Sequence, residues 1–192
     1  MAAAEVTTTP LPAGTPQNAS TAWPAFWIAC SAVFLVSLDT TMLFAAFDAL
    51  RHSFDGTSAA ELSWVLNGYT VVYAAMLIPA GGLADAHGRR RIFRLGVALF
   101  VLASAACGAA PTVGWLIAAR VLQAIGAALL TPASMAIVLA AFPIERRAVA
   151  VSLWGAVGGL AAAVGPSLGS WVTDQAGWPW AFYINVPIGV WA

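Results

Sequence analysis

The chain has 192 residues, of which 61% are hydrophobic and 8% charged, and its formal net charge is zero. Soluble domains are roughly half apolar and a quarter charged, so this composition excludes an ordinary water-solvated domain and describes a protein solvated by lipid. With no net charge there is no global field to recruit nucleic acid, and the placement of the few charges becomes the informative quantity.

Residues 1–22 are rich in Ala, Thr and Pro, hold Glu5 as their only charge and show no helical periodicity, which predicts a disordered tail. They lack the basic start of a secretory signal. A spanning helix needs about 20 mostly apolar residues at about 1.5 Å each. Five stretches meet that length: 23–50, interrupted by Asp39 and Asp48, then 62–84, 92–110, 115–142 and 149–172. Pro111, Thr112, Val113 and Gly114 divide the third from the fourth, because Pro and Gly together punctuate helices. A sixth stretch, 180–192, gives 13 residues, or roughly 20 Å of helix against a hydrocarbon core of ~30 Å. A carboxylate left at mid-bilayer is costly, so the chain is expected to be a fragment with an incomplete sixth span.

All eight basic residues are arginines. Arg89, Arg90, Arg91 and Arg94 fall between spans two and three, and Arg146 and Arg147 between spans four and five. Arginines beside span ends favour the cytoplasmic side, so both connections and the N-terminus are expected there. Running 111–114 inside one long helix would put the two arginine groups on opposite faces.

Two charges lie within spans. Asp39 sits near the middle of the first, in LVSLDTTML, where an acidic residue costs about 2.5 to 3.5 kcal/mol and must face a cavity or a partner. It reads either as a packing carboxylate with its bonds satisfied or as a proton-titrating, substrate-facing group. Asp48 is close enough to the span end to reach water. Arg120 opens a polar stripe on span four with Gln123, Thr131 and Ser134, at offsets of three, eleven and fourteen, which lipid would not tolerate. The alternative for Arg120 is that it snorkels to the outer headgroups. If spans one and four adjoin, its guanidinium can approach Asp39; contact favours the charged carboxylate and separation lets it take a proton, a workable coupling device.

Span five carries Gly155, Gly158, Gly159, Ala162, Gly165 and Gly169 at steps of three and four, a small-residue seam for close helix packing, with Pro166 bending the helix beside it. In GGLADAHGRRRIFRLG, residues 81–96, Gly88 supplies a turn, and Asp85 stands four residues before Arg89, within pairing reach if the connection is helical. Positive-inside topology accounts for the arginines but not for Gly81, Asp85 and Gly88 at these spacings. Cys30 and Cys107 lie in apolar runs on separate spans and read as small packing residues, with no disulfide framework and no metal-ligand spacing. His52 and His87 fall in connections and read as solvated. Neither a nucleophile with a base nor a metal cluster is visible in the sequence, so enzyme readings and cofactors have no support.

These motifs resemble the major facilitator superfamily, and within it the drug:proton antiporter branch that usually has fourteen spans. Gly81, Leu83, Ala84, Asp85, Gly88, Arg89 and Arg90 are similar to the family's connection between helices two and three. Arg120, Val121, Leu122, Gln123, Ile125, Gly126 and Ala127 are similar to its fourth-helix motif, and Gly165, Pro166, Leu168 and Gly169 to the fifth-helix motif of antiporters. Leu38, Asp39, Thr40 and Thr41 resemble the first-helix motif, and Trp178, Trp180, Phe182, Ile184, Asn185, Val186 and Pro187 the segment entering helix six. After Thr41, however, the family's Ile-Val-Asn-Val-Ala-Leu-Pro is replaced by Met-Leu-Phe-Ala-Ala-Phe-Asp; Ala124, Ser170 and Pro179 also depart from the pattern.

The resemblance implies an all-α membrane fold, the N-terminal six-helix half of a major facilitator transporter with five complete spans and a truncated sixth. It implies alternating access in the cell membrane, with a small amphipathic organic substrate exported against protons and the C-terminal half of the transporter as the missing partner. Asp39, Arg120 and Gln123 would couple the proton. Gly81, Asp85, Gly88, Arg89 and Arg90 would form a cytoplasmic latch, and Gly165, Pro166 and Gly169 the antiporter helix motif. A uniporter or symporter on the same fold, and a non-transporting membrane module or half-transporter that needs a partner, are the competing readings.

Overall fold

The computed structural model describes residues 19–191, and residues 1–18 of the tail expected at 1–22 lie outside them. Helix α1 spans Ala19–Ser53, α2 Ala59–His87, α3 Arg89–Gly108, α4 Val113–Ala141 and α5 Ile144–Ala176. Two short pieces follow, α6 at Trp180–Tyr183 and α7 at Asn185–Trp191. The first five are each long and apolar enough to cross a membrane. No strand occurs among the described residues.

The helices overrun the apolar stretches that announce them. Helix α1 begins at Ala19, so the last four residues of the 1–22 segment are helical, and α5 runs from Ile144 rather than from 149. Hydropathy marks where side chains stop suiting lipid, whereas the backbone ladder continues until a residue breaks it. At 35 residues, α1 is roughly 50 Å long and projects beyond a ~30 Å core.

The breaks have local causes. Ser58 caps α2 by accepting from the Glu61 N–H at 3.1 Å, and Thr112 caps α4 by accepting from Trp115 N–H at 3.2 Å. The Thr112 cap separates α3 from α4 and excludes one long helix through 111–114. The expected continuous sixth helix is divided at Ile184. Pro187 has no N–H to donate to the Tyr183 carbonyl, which removes one rung of the ladder there.

Between α2 and α3 the chain turns at Gly88, whose φ of 94° suits glycine alone. The connection is therefore not helical, as pairing of Asp85 with Arg89 at four residues' spacing assumed. Arg89 nevertheless reaches 3.7 Å from Asp85, and its Nη1 donates to the Ala136 carbonyl of α4 at 3.2 Å. That second bond puts the arginine-rich turn beside the C-terminal end of α4, at the same end of the bundle as Arg146 and Arg147.

Helix α4 is the hub, packing against α1, α2, α3 and α5, while α1 pairs along its length with α5. Close approach is set by glycine. A Cβ on Gly126 would lie 2.7 Å from the Phe100 backbone nitrogen, so α4 and α3 touch backbone to backbone. Likewise a Cβ on Gly169 would lie 2.7 Å from the Met42 carbonyl oxygen, and Gly165 abuts the Thr41 side chain. The single glycine seam expected on α5 is a correction: Gly158, Gly165 and Gly169 face α1, whereas Gly155 and Gly159 have no neighbour within 4 Å. At 3.6 residues per turn the stripe is about 120° wide, more than one partner helix covers.

Candidate functional site

Asp39 is in the middle of α1 and 1% exposed. Its carboxylate is held by three donors from two other helices. Arg120 Nη1 of α4 donates to Oδ2 at 2.6 Å, Gln123 Nε2 of α4 donates to Oδ1 at 2.8 Å, and Asn185 Nδ2 of α7 donates to Oδ1 at 2.7 Å. Arg120 and Gln123 share one face of α4 because they are three residues apart, so one helix supplies both the charge and an amide.

Arg120 is also 1% exposed, which excludes snorkelling to the headgroups. Two further bonds hold it: Nε donates to the Val65 carbonyl of α2 at 3.3 Å, and Nη1 also donates to Gln123 Oε1 at 2.6 Å. The guanidinium carbon stands 4.0 Å above the Tyr69 ring, whose π face attracts a cation. Tyr69 in turn stacks on Tyr73 at 6.0 Å, and the Tyr73 hydroxyl donates to Thr131 Oγ1 at 3.0 Å.

Around this pair, α3 contributes groups that the sequence reading did not single out for the site. Ser104 Oγ accepts from Gln123 Nε2 at 3.1 Å and from Asn185 Nδ2 at 2.9 Å, and donates to the Phe182 carbonyl at 2.9 Å. Cys107, expected to be a packing residue, directs its thiol at Gln123 Oε1 over 3.7 Å. A lone Ser and a lone Cys three residues apart in an uncharged run were the only signal. Asn185 was visible as part of a motif but had no assigned partner.

Every ion and nearly every polar atom in this cluster is paired, as a buried charge demands. Three donors and no acceptor face the Asp39 carboxylate. The arrangement ties α1, α2, α3, α4 and the sixth-helix segment to one point. It holds a charge pair out of water.

The other predicted residues lie apart from this cluster. Gly81, Asp85, Gly88, Arg89 and Arg90 are at the bundle end, where Asp85 and Arg89 are solvent-exposed. Gly81 meets only Pro132 Cβ, at an ordinary 3.9 Å, so packing here does not require glycine. Gly165 and Gly169 touch α1 one turn from Asp39, at Thr41 and Met42, while Pro166 is exposed away from it. The polar stripe of α4 continues as expected to Ser134, which accepts from Trp154 Nε1 of α5 at 3.3 Å. His52 is exposed and lies 3.6 Å from Asp48.

The sequence profile described as Major Facilitator Superfamily matches residues 29–192. The chain belongs to this superfamily. It is 35% identical over 168 residues to the tetracenomycin C resistance and export protein of Streptomyces glaucescens, covering 88% of this chain and 31% of that protein. It is 43% identical over 154 residues to the methyl viologen resistance protein SmvA of Salmonella typhimurium, covering 80% of this chain and 31% of that protein. The chain thus spans about a third of the length of the curated relatives it matches. Among solved structures, the inward-open xylose transporter XylE from E. coli superposes with a TM-score of 0.73 at 16% identity, covering 88% of this chain and 46% of that one. The chain therefore has the all-α, multi-pass membrane fold of a major facilitator N-terminal half, with five full spans and a short sixth.

Proposed function

We propose that this chain forms the N-terminal half of a secondary transporter that exports amphipathic organic compounds against protons by alternating access. The observation that carries the reading is the Asp39–Arg120 pair, 2.6 Å apart and shielded from water at mid-span. Burying two charges costs several kcal/mol, and hydrophobic replacements often stabilise such a site, so retention of the pair favours a working role over a purely structural one. Resistance and export relatives favour efflux over uptake as its direction.

In this reading Asp39 takes and releases the proton, Arg120 sets its charge state by approach and withdrawal, and Gln123 holds both. Asp85 and Arg89, with Gly81, Gly88 and Arg90, form a latch at the cytoplasmic face against the C-terminal half. Gly165, Pro166 and Gly169 form a packing seam that favours one direction of movement. The N-terminus and both arginine connections face the cytoplasm, and the membrane is the cell membrane.

The test is a complete transporter in proteoliposomes under an imposed pH gradient, followed with a fluorescent amphipathic dye. Dye movement opposite to proton movement, lost in Asp39→Asn with the protein still inserted, is expected. Movement with the protons indicates a symporter; indifference to the gradient indicates a uniporter. Either result overturns the antiport reading.

A further inference from the structure

Asn185 is fully buried, and its two amide ends are used unequally. Nδ2 donates to Asp39 Oδ1 at 2.7 Å and to Ser104 Oγ at 2.9 Å, whereas Oδ1 is buried with no hydrogen-bond partner. A buried carbonyl oxygen left without a donor is uncommon and calls for an explanation.

The explanation lies in what Asp39 needs when it is neutral. A proton taken from water forms an O–H bond at Oδ1 without breaking any bond in the protein, and that oxygen changes from acceptor to donor. It then faces the amide hydrogens of Gln123 and Asn185, and one neighbour must offer an acceptor. Gln123 cannot: its Oε1 accepts from Arg120 at 2.6 Å and from Cys107, so turning its amide would aim an NH2 at a guanidinium. The Ser104 oxygen already accepts twice, and its hydrogen is committed to Phe182. Among these neighbours, only Asn185 holds an acceptor in reserve.

We propose that Asn185 is the positioning residue for the proton on Asp39: its side-chain amide turns over on protonation, replacing the Nδ2 donor by the Oδ1 acceptor. The inference rests on the coupling role of Asp39. One end of the amide lacks a partner in either orientation, and the turned amide also gives up its bond to Ser104, so the new bond from protonated Asp39 is what favours the turn. Ser104 keeps its bond from Gln123 throughout. The charged and titratable groups facing Asp39 are Arg120 of α4, Tyr69 of α2 and Cys107 of α3. The α5 residues packed nearest this turn of α1, Gly165 and Gly169, meet Thr41 and Met42 and carry no charge, and α7 brings the amide itself. No other ionisable group is needed to drive the turn.

The experiment is difference infrared spectroscopy of the 192-residue chain in phospholipid nanodiscs on acidification. Asparagine, present at three positions, carries a heavy-isotope label in its side-chain carbonyl. A protonated-carboxyl band that is absent in Asp39→Asn is expected, accompanied by a shift of the labelled amide band that is lost in both Asp39→Asn and Asn185→Leu. In Asn185→Leu the carboxyl band should move to the higher frequency of an acid without an acceptor, and Asn185→Ser should restore it. If the carboxyl band forms but neither it nor the labelled amide responds to these substitutions, the amide inference is wrong and proton uptake by Asp39 stands. With no Asp39-dependent band at all, both fall. The labelled, unsubstituted chain gives a result even if Asn185→Leu does not fold.

Discussion

Arg120 Nη1 stands 2.6 Å from Asp39 Oδ2, with each side chain 1% exposed, so the centre of α1 is tied to α4 by a charge pair that water does not reach. Removing one partner leaves the other charge buried and uncompensated, at about 3–5 kcal/mol. Arg120→Ala or Asp39→Leu should therefore each destabilise the folded chain by about that amount. Asp39→Leu combined with Arg120→Leu should cost markedly less than the sum of the two single leucine substitutions, because no orphan charge remains. Denaturant titration in micelles checks this; additive losses would mean the two side chains act independently.

Glycine contacts give a second set of outcomes with opposite signs. At Gly126 and Gly169 an added methyl would meet backbone atoms at 2.7 Å, which cannot rotate away. Gly126→Ala and Gly169→Ala should each cost about 1–3 kcal/mol, the usual range for overpacking. Gly155 has nothing within 4 Å, so Gly155→Ala should be neutral or stabilise the helix by up to about 1 kcal/mol. Thermal unfolding of the three variants distinguishes the close-packed positions on α4 and α5 from an open one on α5.

The Asp85–Arg89 pair separates a local contribution from a functional one. Both side chains are solvent-exposed and 3.7 Å apart, so screening limits what the pair adds to stability to about 0–1 kcal/mol. Asp85→Asn should leave the melting temperature of this chain nearly unchanged. If the pair is a latch against the other half, the same substitution in a complete transporter should lower dye export several-fold. An unchanged export rate would reduce these residues to topology.

What the sequence made legible follows from what lipid penalises. Asp39, Arg120 and Gln123 stood out because charged and amide groups are expensive in an apolar run, and they do converge on one point. Ser104 and Cys107 did not stand out, because a hydroxyl or thiol can bond within its own helix and so carries no such penalty. Nothing in the order of residues says that α3 aims them at Gln123. Asn185 was quoted in a motif, but its meeting with Asp39, 146 residues away, is a property of the packed bundle. The helices run past the apolar stretches for the reason given above: hydropathy reports the lipid boundary, whereas Thr112, Gly88 and Pro187 report the backbone.

Tyr69 provides the sharpest contrast between two substitutions at one position. Its ring lies 4.0 Å from the Arg120 guanidinium carbon and its side chain is 3% exposed, so the cation is held against a desolvated π face. Such a contact contributes about 2 kcal/mol. The hydroxyl is different: it is buried without a hydrogen-bond partner, and an unsatisfied group of this kind costs about 1–3 kcal/mol. Tyr69→Phe keeps the ring and removes the unpaired hydroxyl, so it should be neutral or stabilising. Tyr69→Leu loses the π face and should destabilise by about 2 kcal/mol or more, with Arg120 less firmly placed over Asp39. Unfolding free energies of the two variants in the same micelles check the order. A loss of stability in Tyr69→Phe equal to that in Tyr69→Leu would show that the hydroxyl, not the ring, is what the site uses.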